Sequence, residues 1–290
     1  MNILVLGANG MAGHFICMYF KERGHEVTAF SRKQFGHCRH IFGDATDFER
    51  LKTVIAEGGY DAVVNAVGIL NREAENHKAM AVMLNSCLPH HLSEVTRGTK
   101  TKIVQISTDC VFSGKMGAYT ETSVKDGEAF YDRSKALGEL VNDKDLTFRT
   151  SIVGPDPNPA GIGLLNWFMQ QGGSINGYTE AFWTGVTTHT LAQAIEKALE
   201  QRLTGLYHLV NKERISKFNL LTLFNRHLRD GAVTIVPSGV VRVDKSLINN
   251  RSDFDFWVPD YENMVIEMKH WMIRHAPVYP HYFRSRPADS

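Results

Sequence analysis

A glycine-rich segment directly follows the first apolar run of the chain, and it constrains the fold more than any other feature. Residues 7–13 read GANGMAG, so glycines stand at the first, fourth and seventh positions between the run Ile3–Leu6 and a helical pattern. In a strand–turn–helix unit, the first glycine permits a tight turn and the second lets backbone N–H groups approach a pyrophosphate. The third lets helix and strand pack closely. The segment therefore predicts a dinucleotide-binding unit, because an ordinary strand–helix turn does not explain three glycines at this spacing.

Short apolar runs alternate with helical patterns through the first half of the chain. The predicted strands are Ile3–Leu6, Glu26–Phe30, Arg39–Phe42, Ala62–Ala66, Lys102–Ser107 and Thr147–Thr150. The predicted helices between them are Met11–Arg23, Asp47–Ala56, Arg72–Thr96 and Ala129–Val141. This alternation predicts an α/β fold, a doubly wound parallel sheet of the Rossmann type with helices on both faces.

The pattern changes after Thr150. A breaker sequence, GPDPNP, occupies residues 154–159, and beyond it short strands and helices follow each other less regularly. We therefore expect residues 1–155 to form the dinucleotide-binding domain with the chemical site, and residues 156–290 to form mainly a smaller α+β substrate-binding lobe. The polar tail 284–290 is expected to be loose.

Composition excludes several classes of protein. The 32 basic and 31 acidic residues give a net charge of +1, so the chain lacks the basic excess of a nucleic-acid-binding protein. No apolar run approaches the roughly 18 residues of a membrane helix, and the first residues do not read as a signal peptide. The four cysteines are scattered and no H-E-x-x-H occurs. We expect a cytoplasmic protein without a metal site, a membrane partner or a nucleic-acid partner.

The second predicted strand ends in Ser31-Arg32-Lys33. NAD-selective sites usually place a carboxylate here, whereas a hydroxyl and two cations suit the 2′-phosphate of NADPH. NADPH is therefore favoured, with NADH possible and with ordinary surface charge as the alternative. Asp44 is placed to accept a hydrogen bond from the adenine. The residues predicted to contact the cofactor from these segments and the next two strand ends are Gly7, Asn9, Gly10, Met11, Gly13, Ser31, Arg32, Lys33, Asp44, Ala45, Asn65, Ala66, Val67, Gly68 and Ser107.

A second set of residues predicts carbonyl reduction. Thr108 follows the fifth predicted strand, at the edge where open α/β sheets bind ligands, and Tyr131 and Lys135 lie on one face of the next helix. The Thr108 hydroxyl would polarise a carbonyl oxygen and Tyr131 would supply the proton. Lys135 would lower the phenol pKa from about 10. Alone, Y-x-x-x-K is usually a surface pair, but its combination with the strand-end hydroxyls and the glycine segment is specific.

Five segments together resemble a known family. GANGMAG, NAVGILNREAE, STDCVFSG, YDRSKALGE and FRTSIVG are similar to the extended short-chain dehydrogenase/reductases, and within them to the dTDP-4-dehydrorhamnose reductases. The resemblance covers residues 1–155 well and the remainder loosely. It implies the catalytic set Thr108, Tyr131 and Lys135, with Tyr131 and Lys135 also beside the nicotinamide ribose, and an active-site asparagine best matched by Asn85. The implied activity is NADPH-dependent reduction of a nucleotide-linked 4-keto-6-deoxy sugar in deoxysugar or surface polysaccharide biosynthesis.

Departures from the family pattern leave alternatives open. Related 4,6-dehydratases carry glutamate where this chain has Cys110, and a thiol of pKa about 8.5 is a poor general base for eliminating water, which favours a reductase. A non-catalytic NADP-binding regulatory subunit, like the β subunit of methionine adenosyltransferase, is one alternative, and an epimerase is another. Homologous folds commonly form dimers through helices, so a homodimer stays open, although no helix face is apolar enough to establish it.

The substrate contacts are predicted from position. Asp109, Val111 and Phe112 follow the fifth strand, and Trp183 lies in an aromatic loop where it would either stack on a base or sugar or pack between the lobes. Arg242, Lys245 and Arg251 flank a predicted loop, where one or more would clamp a diphosphate or remain solvated surface charges. We take Trp183 and Arg251 as the predicted contacts from this half.

Overall fold

Strands and helices alternate along the computed structural model, which describes residues 1–283. The strands are β1 (Asn2–Leu6), β2 (Glu26–Ser31), β3 (Arg39–Phe42), β4 (Ala62–Asn65), β5 (Lys102–Thr108), β6 (Leu146–Thr150), β7 (Ile152–Val153), β8 (Ser174–Trp183), β9 (Val186–Thr187), β10 (Gly205–His208), β11 (Ile215–Ser216) and β12 (Thr234–Asp244). The α-helices are α1 (Met11–Glu22), α2 (Phe48–Gly58), α3 (Asn71–Asn76), α4 (Lys78–Ala81), α5 (Leu88–Val95), α6 (Phe130–Leu137), α7 (Leu164–Met169), α8 (Thr188–Glu200), α9 (Lys217–Leu228), α10 (Tyr261–Arg274) and α11 (Pro280–Phe283). The tail predicted to be loose lies outside the described residues.

The central sheet has seven parallel strands in the order β10-β6-β5-β4-β1-β2-β3. Val5 in β1 pairs with Ala29 of β2 on one side and Val64 of β4 on the other, so the order in which strands are added reverses beside β1. This arrangement confirms the predicted doubly wound α/β fold. The carboxyl ends of all seven strands meet at one edge, and open sheets bind ligands where the strand order reverses.

The strands of this sheet consist of apolar runs, which explains why the sheet is buried between two layers of helices. The β1 side chains Ile3–Leu6 are completely buried, as expected of a strand covered on both faces. One face packs into a core with α1, α8 and α10, and the other packs against α2 and α5. Within the described residues, no helix combines the length and apolar character needed to cross a membrane.

The second half of the chain contributes to both parts of the molecule. Strand β10 pairs with β6 and completes the central sheet, while α8 packs on α1. Strands β11, β8 and β12 form a separate three-stranded sheet in that order, and β7 and β9 form a further two-stranded pair. This second sheet with α7 and α9 is the predicted α+β lobe. The division at residue 155 stays a prediction, since β10 lies beyond it and still joins the first sheet.

The long helix predicted over residues 72–96 is wrong as a single element. It is broken into α3, α4, a π-helical turn at Val82–Cys87, and α5. His77 interrupts the first part with an extended φ of −127°. Helix α6 also ends earlier than predicted, at Gly138, whose Cα approaches the π turn so closely that a Cβ there would lie 1.9 Å from the Asn85 carbonyl oxygen.

Candidate active site

The glycine segment forms a tight turn between β1 and α1. Gly7 has a φ of +81°, and a Cβ on Gly13 would lie 2.2 Å from the Gly7 carbonyl oxygen. Both positions therefore require glycine, because a side chain would force the helix away from the strand. The turn places the predicted contacts Asn9, Gly10 and Met11 at the N-terminus of α1, where backbone N–H groups favour an anion.

The ends of β2 and β3 form a charged cluster beside this turn. The Arg32 guanidinium is 79% exposed, and its nearest nitrogen lies 3.8 Å from an Asp44 carboxylate oxygen. The Ser31 hydroxyl donates to the Lys33 carbonyl at 2.9 Å. Hydrogen bonds from Thr46 hold the pKa of Asp44 below its usual range. The Arg32 guanidinium and the Asp44 carboxylate therefore lie together at these strand ends, near Ser31 and Ala45, and their contact with a cofactor stays a prediction.

Two predicted cofactor contacts use their side chains inside the protein. Asn65 at the end of β4 donates to the Gln105 amide at 2.8 Å, and Ser107 in β5 donates to the Glu139 carboxylate at 2.7 Å. Both residues are almost completely buried. This corrects the prediction for these two side chains, which fix strand ends instead of facing the edge. The small residues Ala66, Val67 and Gly68 continue from β4 along that edge.

Asn85 fastens the loop after β4 to helix α6. Its amide oxygen accepts from the Ile69 N–H at 2.9 Å, and its amide nitrogen donates to the Ile69 carbonyl at 2.9 Å and to the Ser134 hydroxyl at 3.0 Å. The side chain is fully buried and all these partners are protein groups. Asn85 is therefore a positioning residue rather than a direct contact, and it acts on the loop and on the helix that carries Tyr131.

The three predicted catalytic residues are brought together at the carboxyl end of β5. The Lys135 ammonium donates to the Ile106 carbonyl in β5 at 2.7 Å, which holds α6 against the strand. Tyr131 lies one turn earlier on the same helix, and the Thr108 side chain is close enough to its phenol to act on the phenol pKa. All three side chains are less than a tenth exposed. This is the hydroxyl–phenol–ammonium set that carbonyl reduction needs.

The net shift of the Tyr131 pKa in this structure is opposite to the lowering that Lys135 is expected to cause. Burial raises the pKa of Tyr131 above its usual value, and the neighbouring Thr108 side chain only partly opposes this. Burial also lowers the pKa of Lys135 to about 8. Tyr131 is therefore a protonated phenol near neutral pH, which is the form that can donate a proton.

Cys110 lies against Tyr131 in a small apolar cluster. Burial and the neighbouring Asp109 raise the pKa of its thiol to about 12. The thiol therefore stays neutral, and a neutral thiol does not act as a general base. This geometry supports the argument against elimination of water at this site.

The side chains of Val111 and Phe112 lie inside the protein. Both are completely buried, and the Phe112 ring stacks on Tyr119 with centroids 4.2 Å apart. The structure corrects their prediction as substrate contacts, because these side chains support the segment after β5 from beneath. Asp109, by contrast, is joined to Thr108 by a 3.2 Å hydrogen bond, and burial raises the pKa of its carboxyl.

Trp183 takes the packing alternative. Its side chain is 3% exposed within the main core, and its ring lies 5.9 Å from that of Tyr261. A ring so enclosed cannot stack on a base or a sugar, so the prediction of Trp183 as a substrate contact is corrected. The buried indole instead supports the end of β8 from inside the lobe.

Arg251 lies at the wrong edge of the sheet for a substrate contact. Its guanidinium pairs with Asp253 and donates to the carbonyls of Thr204 and Leu206, at 2.7 and 2.8 Å. These carbonyls belong to the amino end of β10, opposite the edge that carries Thr108. The prediction of Arg251 as a diphosphate clamp is therefore corrected. A cavity of about 320 Å³ beside it is lined by none of the predicted catalytic residues.

A larger cavity, of about 580 Å³, lies between α7, β8 and α9. Its wall includes Trp167, Tyr178 and Lys217, and Trp167 is 41% exposed. Trp167 and Lys217 were not among the predicted contacts. Trp167 could have been found in the sequence as a large aromatic residue within an apolar helical segment. Lys217 could have been found as a cation that directly follows Ser216, the N-cap residue of α9. No group of three or more potential metal ligands occurs among residues 1–283.

The sequence and the fold are similar to those of known proteins. A family model described as the RmlD substrate binding domain matches residues 1–238. The dTDP-4-dehydrorhamnose reductase of Streptomyces griseus is 35% identical over 138 residues, covering 47% of this chain and 43% of that protein. The Bacillus subtilis spore coat polysaccharide biosynthesis protein SpsK is 26% identical over 231 residues, covering 76% and 77%. The structure of a hypothetical dTDP-4-dehydrorhamnose reductase from Sulfolobus tokodaii is similar with a TM-score of 0.76 at 27% identity, over 91% of this chain and 99% of that one.

Proposed function

The chain belongs to the family of the RmlD substrate binding domain, and on this basis we propose that it is an NADPH-dependent reductase of a nucleotide-linked 4-keto-6-deoxy sugar. The observation that carries the proposal is the convergence of Thr108, Tyr131 and Lys135 at the edge of the sheet that also holds the glycine turn. The names of the Streptomyces griseus and Sulfolobus tokodaii relatives support the same activity. Deoxysugar or polysaccharide biosynthesis is the proposed setting.

The residues present fit NADPH. The turn leaves no room for a side chain at Gly7 or Gly13 and presents the N-terminus of α1 to a pyrophosphate, while Arg32 and Lys33 offer cations to a 2′-phosphate. When bound, the nicotinamide supplies the hydride. We take NADPH as the preferred cofactor and NADH as a weaker one, because a carboxylate for an unmodified ribose is missing from the end of β2.

The roles of the catalytic residues follow from their protonation and contacts. Thr108 donates a hydrogen bond to the carbonyl oxygen and polarises it. Tyr131, a protonated phenol near neutral pH, gives its proton to the alkoxide that forms. Lys135, held on the Ile106 carbonyl, places a positive charge one helical turn from the phenol and stabilises the phenolate left behind. The sugar is proposed to enter from the side of the second lobe.

The proposal is tested by NADPH consumption with dTDP-linked and UDP-linked 4-keto-6-deoxy sugars generated in situ, with NADH in parallel. Wild-type protein should oxidise NADPH with one nucleotide series in preference to the other. Tyr131→Phe should lower kcat by roughly 10²–10⁴-fold, since it removes the proton donor, and should leave NADPH binding nearly unchanged. Tyr60→Phe is the matched control, because Tyr60 is buried at the amino end of β4, away from the site. Near-normal turnover by Tyr131→Phe would contradict the assignment.

The alternatives predict different outcomes of the same assay. A regulatory subunit would bind NADPH without turnover of any sugar and would require a protein partner. An epimerase would retain its cofactor through purification and would not consume it. The intact set Thr108, Tyr131 and Lys135 supports the reductase, because a pure binding protein has no need of it.

A cytoplasmic location and a homodimer belong to the same proposal. The four cysteines are free thiols, which suits a reducing compartment. Helix α4, the π turn and α6 contact one another, and each carries exposed apolar side chains: Met80, Val82, Met83 and Leu137. These are the side chains we expect a second copy to cover, and light scattering of the purified protein would measure the assembly directly.

A further inference from the structure

The end of the described chain reaches back to the glycine turn. A 3₁₀ turn and helix α11 follow α10, and we call residues 276–283 the tyrosine strap. Tyr279, in the middle of the strap, is completely buried. Its hydroxyl lies 2.8 Å from Nε2 of His14 in the second turn of α1, and it accepts from the Trp271 indole of α10 at 3.2 Å. The strap therefore contacts the helix whose N-terminus belongs to the proposed pyrophosphate site.

The direction of each hydrogen bond between the strap and the turn is fixed. Nδ1 of His14 lies 3.0 Å from the Gly10 carbonyl oxygen, which can only accept, so Nδ1 carries the proton. Burial lowers the pKa of His14 to about 4, so the imidazole is neutral and Nε2 accepts from Tyr279. The indole therefore donates to the phenol, the phenol to the imidazole, and the imidazole to the carbonyl. Gly10 in turn donates to the Gly7 carbonyl at 3.0 Å, so this series of hydrogen bonds ends within the glycine turn.

A second tyrosine of the strap holds the loop formed by residues 154–163. The Tyr282 hydroxyl accepts from the Asp156 N–H at 3.0 Å, and the Tyr282 ring stacks near that of Tyr279, with centroids 6.1 Å apart. On the other side of the loop, the side-chain amide nitrogen of the buried Asn166 lies 2.6–3.3 Å from three carbonyl oxygens of the loop. The loop is therefore held by the strap and by α7.

This loop spans the two parts of the proposed cofactor site. It begins directly after β7, next to β6, whose Thr150 is paired with Thr108 of β5. At its other end, a Cβ on Gly163 would lie 3.3 Å from Sδ of Met11, the first residue of α1. A dinucleotide with its nicotinamide beside Thr108 and its pyrophosphate at the N-terminus of α1 would pass this loop. The two tyrosines therefore hold the two elements that border the cofactor.

We propose that the tyrosine strap sets the affinity for NADPH, with His14, Tyr279 and Tyr282 as positioning residues whose polar groups bind protein atoms instead of the cofactor. The inference rests on the NADPH binding of the proposed function and adds the elements that hold that site in its binding form. Because the strap and the cofactor stabilise the same arrangement of the turn and the loop, each favours the other. Bound NADPH should therefore stabilise the docked strap, and a loosened strap should weaken NADPH binding.

The first test is a fluorescence titration of NADPH into wild type, Tyr279→Phe and Tyr282→Phe. Each variant removes one hydroxyl and keeps the ring, so each should fold and should raise the Kd of NADPH by about fivefold. Tyr207→Phe is the matched control, because Tyr207 is also buried and its hydroxyl accepts from Asn249, but it lies in the edge strand β10. The control should bind NADPH as wild type does. An unchanged Kd in both strap variants overturns the inference.

Hydrogen–deuterium exchange gives a readout that a purely structural role of the strap would not change. Saturating NADPH should slow amide exchange in residues 276–283 of wild type severalfold, and Tyr279→Phe should lose most of this protection. Exchange in the strap that is the same with and without NADPH overturns the inference, as does wild-type protein that binds no NADPH.

Binding and turnover separate this inference from the proposed function. At saturating NADPH, both strap variants should keep the wild-type kcat and the wild-type KM for the sugar, since the strap acts on cofactor affinity. Protein whose NADPH affinity depends on the strap but which reduces no sugar would retain the strap and refute the reductase. Protein that reduces the sugar with an unchanged KM for NADPH in Tyr279→Phe and Tyr282→Phe would retain the reductase and refute the strap.

Discussion

Tyr131 and Lys135 are both buried, and burial acts on them in opposite directions. It raises the pKa of the phenol and lowers that of the ammonium to about 8. Each shift disfavours the charged form of its group. At neutral pH the pair therefore consists of a neutral phenol and a charged ammonium that is close to losing its proton.

This protonation state predicts how reduction depends on pH. As pH rises through about 8, Lys135 loses its charge while Tyr131 stays protonated, so kcat for reduction should fall on the alkaline side because the forming phenolate loses its stabilising cation. The measurement is a kcat–pH profile for wild type and Lys135→Arg. Arginine keeps its charge, so the fall should move to higher pH. The same alkaline fall in both proteins would assign it to another group.

Arg32 predicts the choice of cofactor. Its exposed guanidinium at the end of β2 is the cation we expect on the 2′-phosphate, so Arg32→Ala should raise KM for NADPH by about tenfold and leave KM for NADH unchanged. Arg39→Ala, an exposed arginine at the start of β3, is the control. An equal rise in KM for NADPH and NADH would show that Arg32 does not bind the 2′-phosphate.

At the scale of elements, the π-helical turn at Val82–Cys87 has a clear consequence. It carries Asn85, whose side chain joins the loop after β4 to α6. Turns of this type add one residue to a helix and often occur at functional sites. Here the π turn directs the side-chain amide of Asn85 into the protein. The absence of a Cβ on Gly138 leaves room for the Asn85 backbone carbonyl beside α6.

Asn85→Ala should destabilise the protein and weaken catalysis together. The change leaves the buried Ile69 N–H and carbonyl without their partner, at a cost of roughly 1–3 kcal/mol for each unsatisfied group. Urea unfolding measures the stability, and steady-state kinetics measures kcat. Asn76→Ala, an exposed residue at the end of α3, should change stability by no more than about 0.5 kcal/mol. A stable Asn85→Ala protein with full kcat would show that the bridge is dispensable.

At the scale of the whole molecule, a buried ionic network joins the first sheet strands to the strand contributed by the second half. Glu139 accepts from Arg149 at 2.8 and 2.7 Å, and Arg149 in β6 donates to His208 in β10 at 2.8 Å. Burial lowers the pKa of His208 to about 4, so the imidazole is neutral and can accept. Its other nitrogen then donates to the Ile248 carbonyl at 2.8 Å.

Arg149→Met should lower the free energy of unfolding by roughly 3–5 kcal/mol, because it leaves the Glu139 carboxylate buried without its main partner. Urea unfolding at neutral pH measures the change. Arg133→Met, an exposed arginine on α6, should be close to wild type. A loss as small as that of the control would mean that the network adds little to the joint between the two halves.

Local sequence features were sufficient for part of this molecule. The six strands and the glycine turn were predictable because apolar runs and glycine spacing act within a few residues. The catalytic set was predictable because strand ends of a parallel sheet meet at one edge. The π turn was not, because its extra residue is stabilised by Ser134, far along the chain. Trp183 and Arg251 were misassigned because their partners, Tyr261 and the start of β10, are brought to them only by the fold.

The central claim is that this chain transfers a hydride to a carbonyl carbon of a nucleotide-linked sugar with Tyr131 as proton donor. The most direct measurement is the position of deuterium in the product formed with NADPH labelled at C4 of the nicotinamide, on each face in turn, by mass spectrometry and NMR. Deuterium is expected at C4 of the sugar from one labelled face, and Tyr131→Phe should form this labelled product roughly 10²–10⁴-fold more slowly. Deuterium at another carbon, or a labelled product at the wild-type rate from Tyr131→Phe, would contradict it.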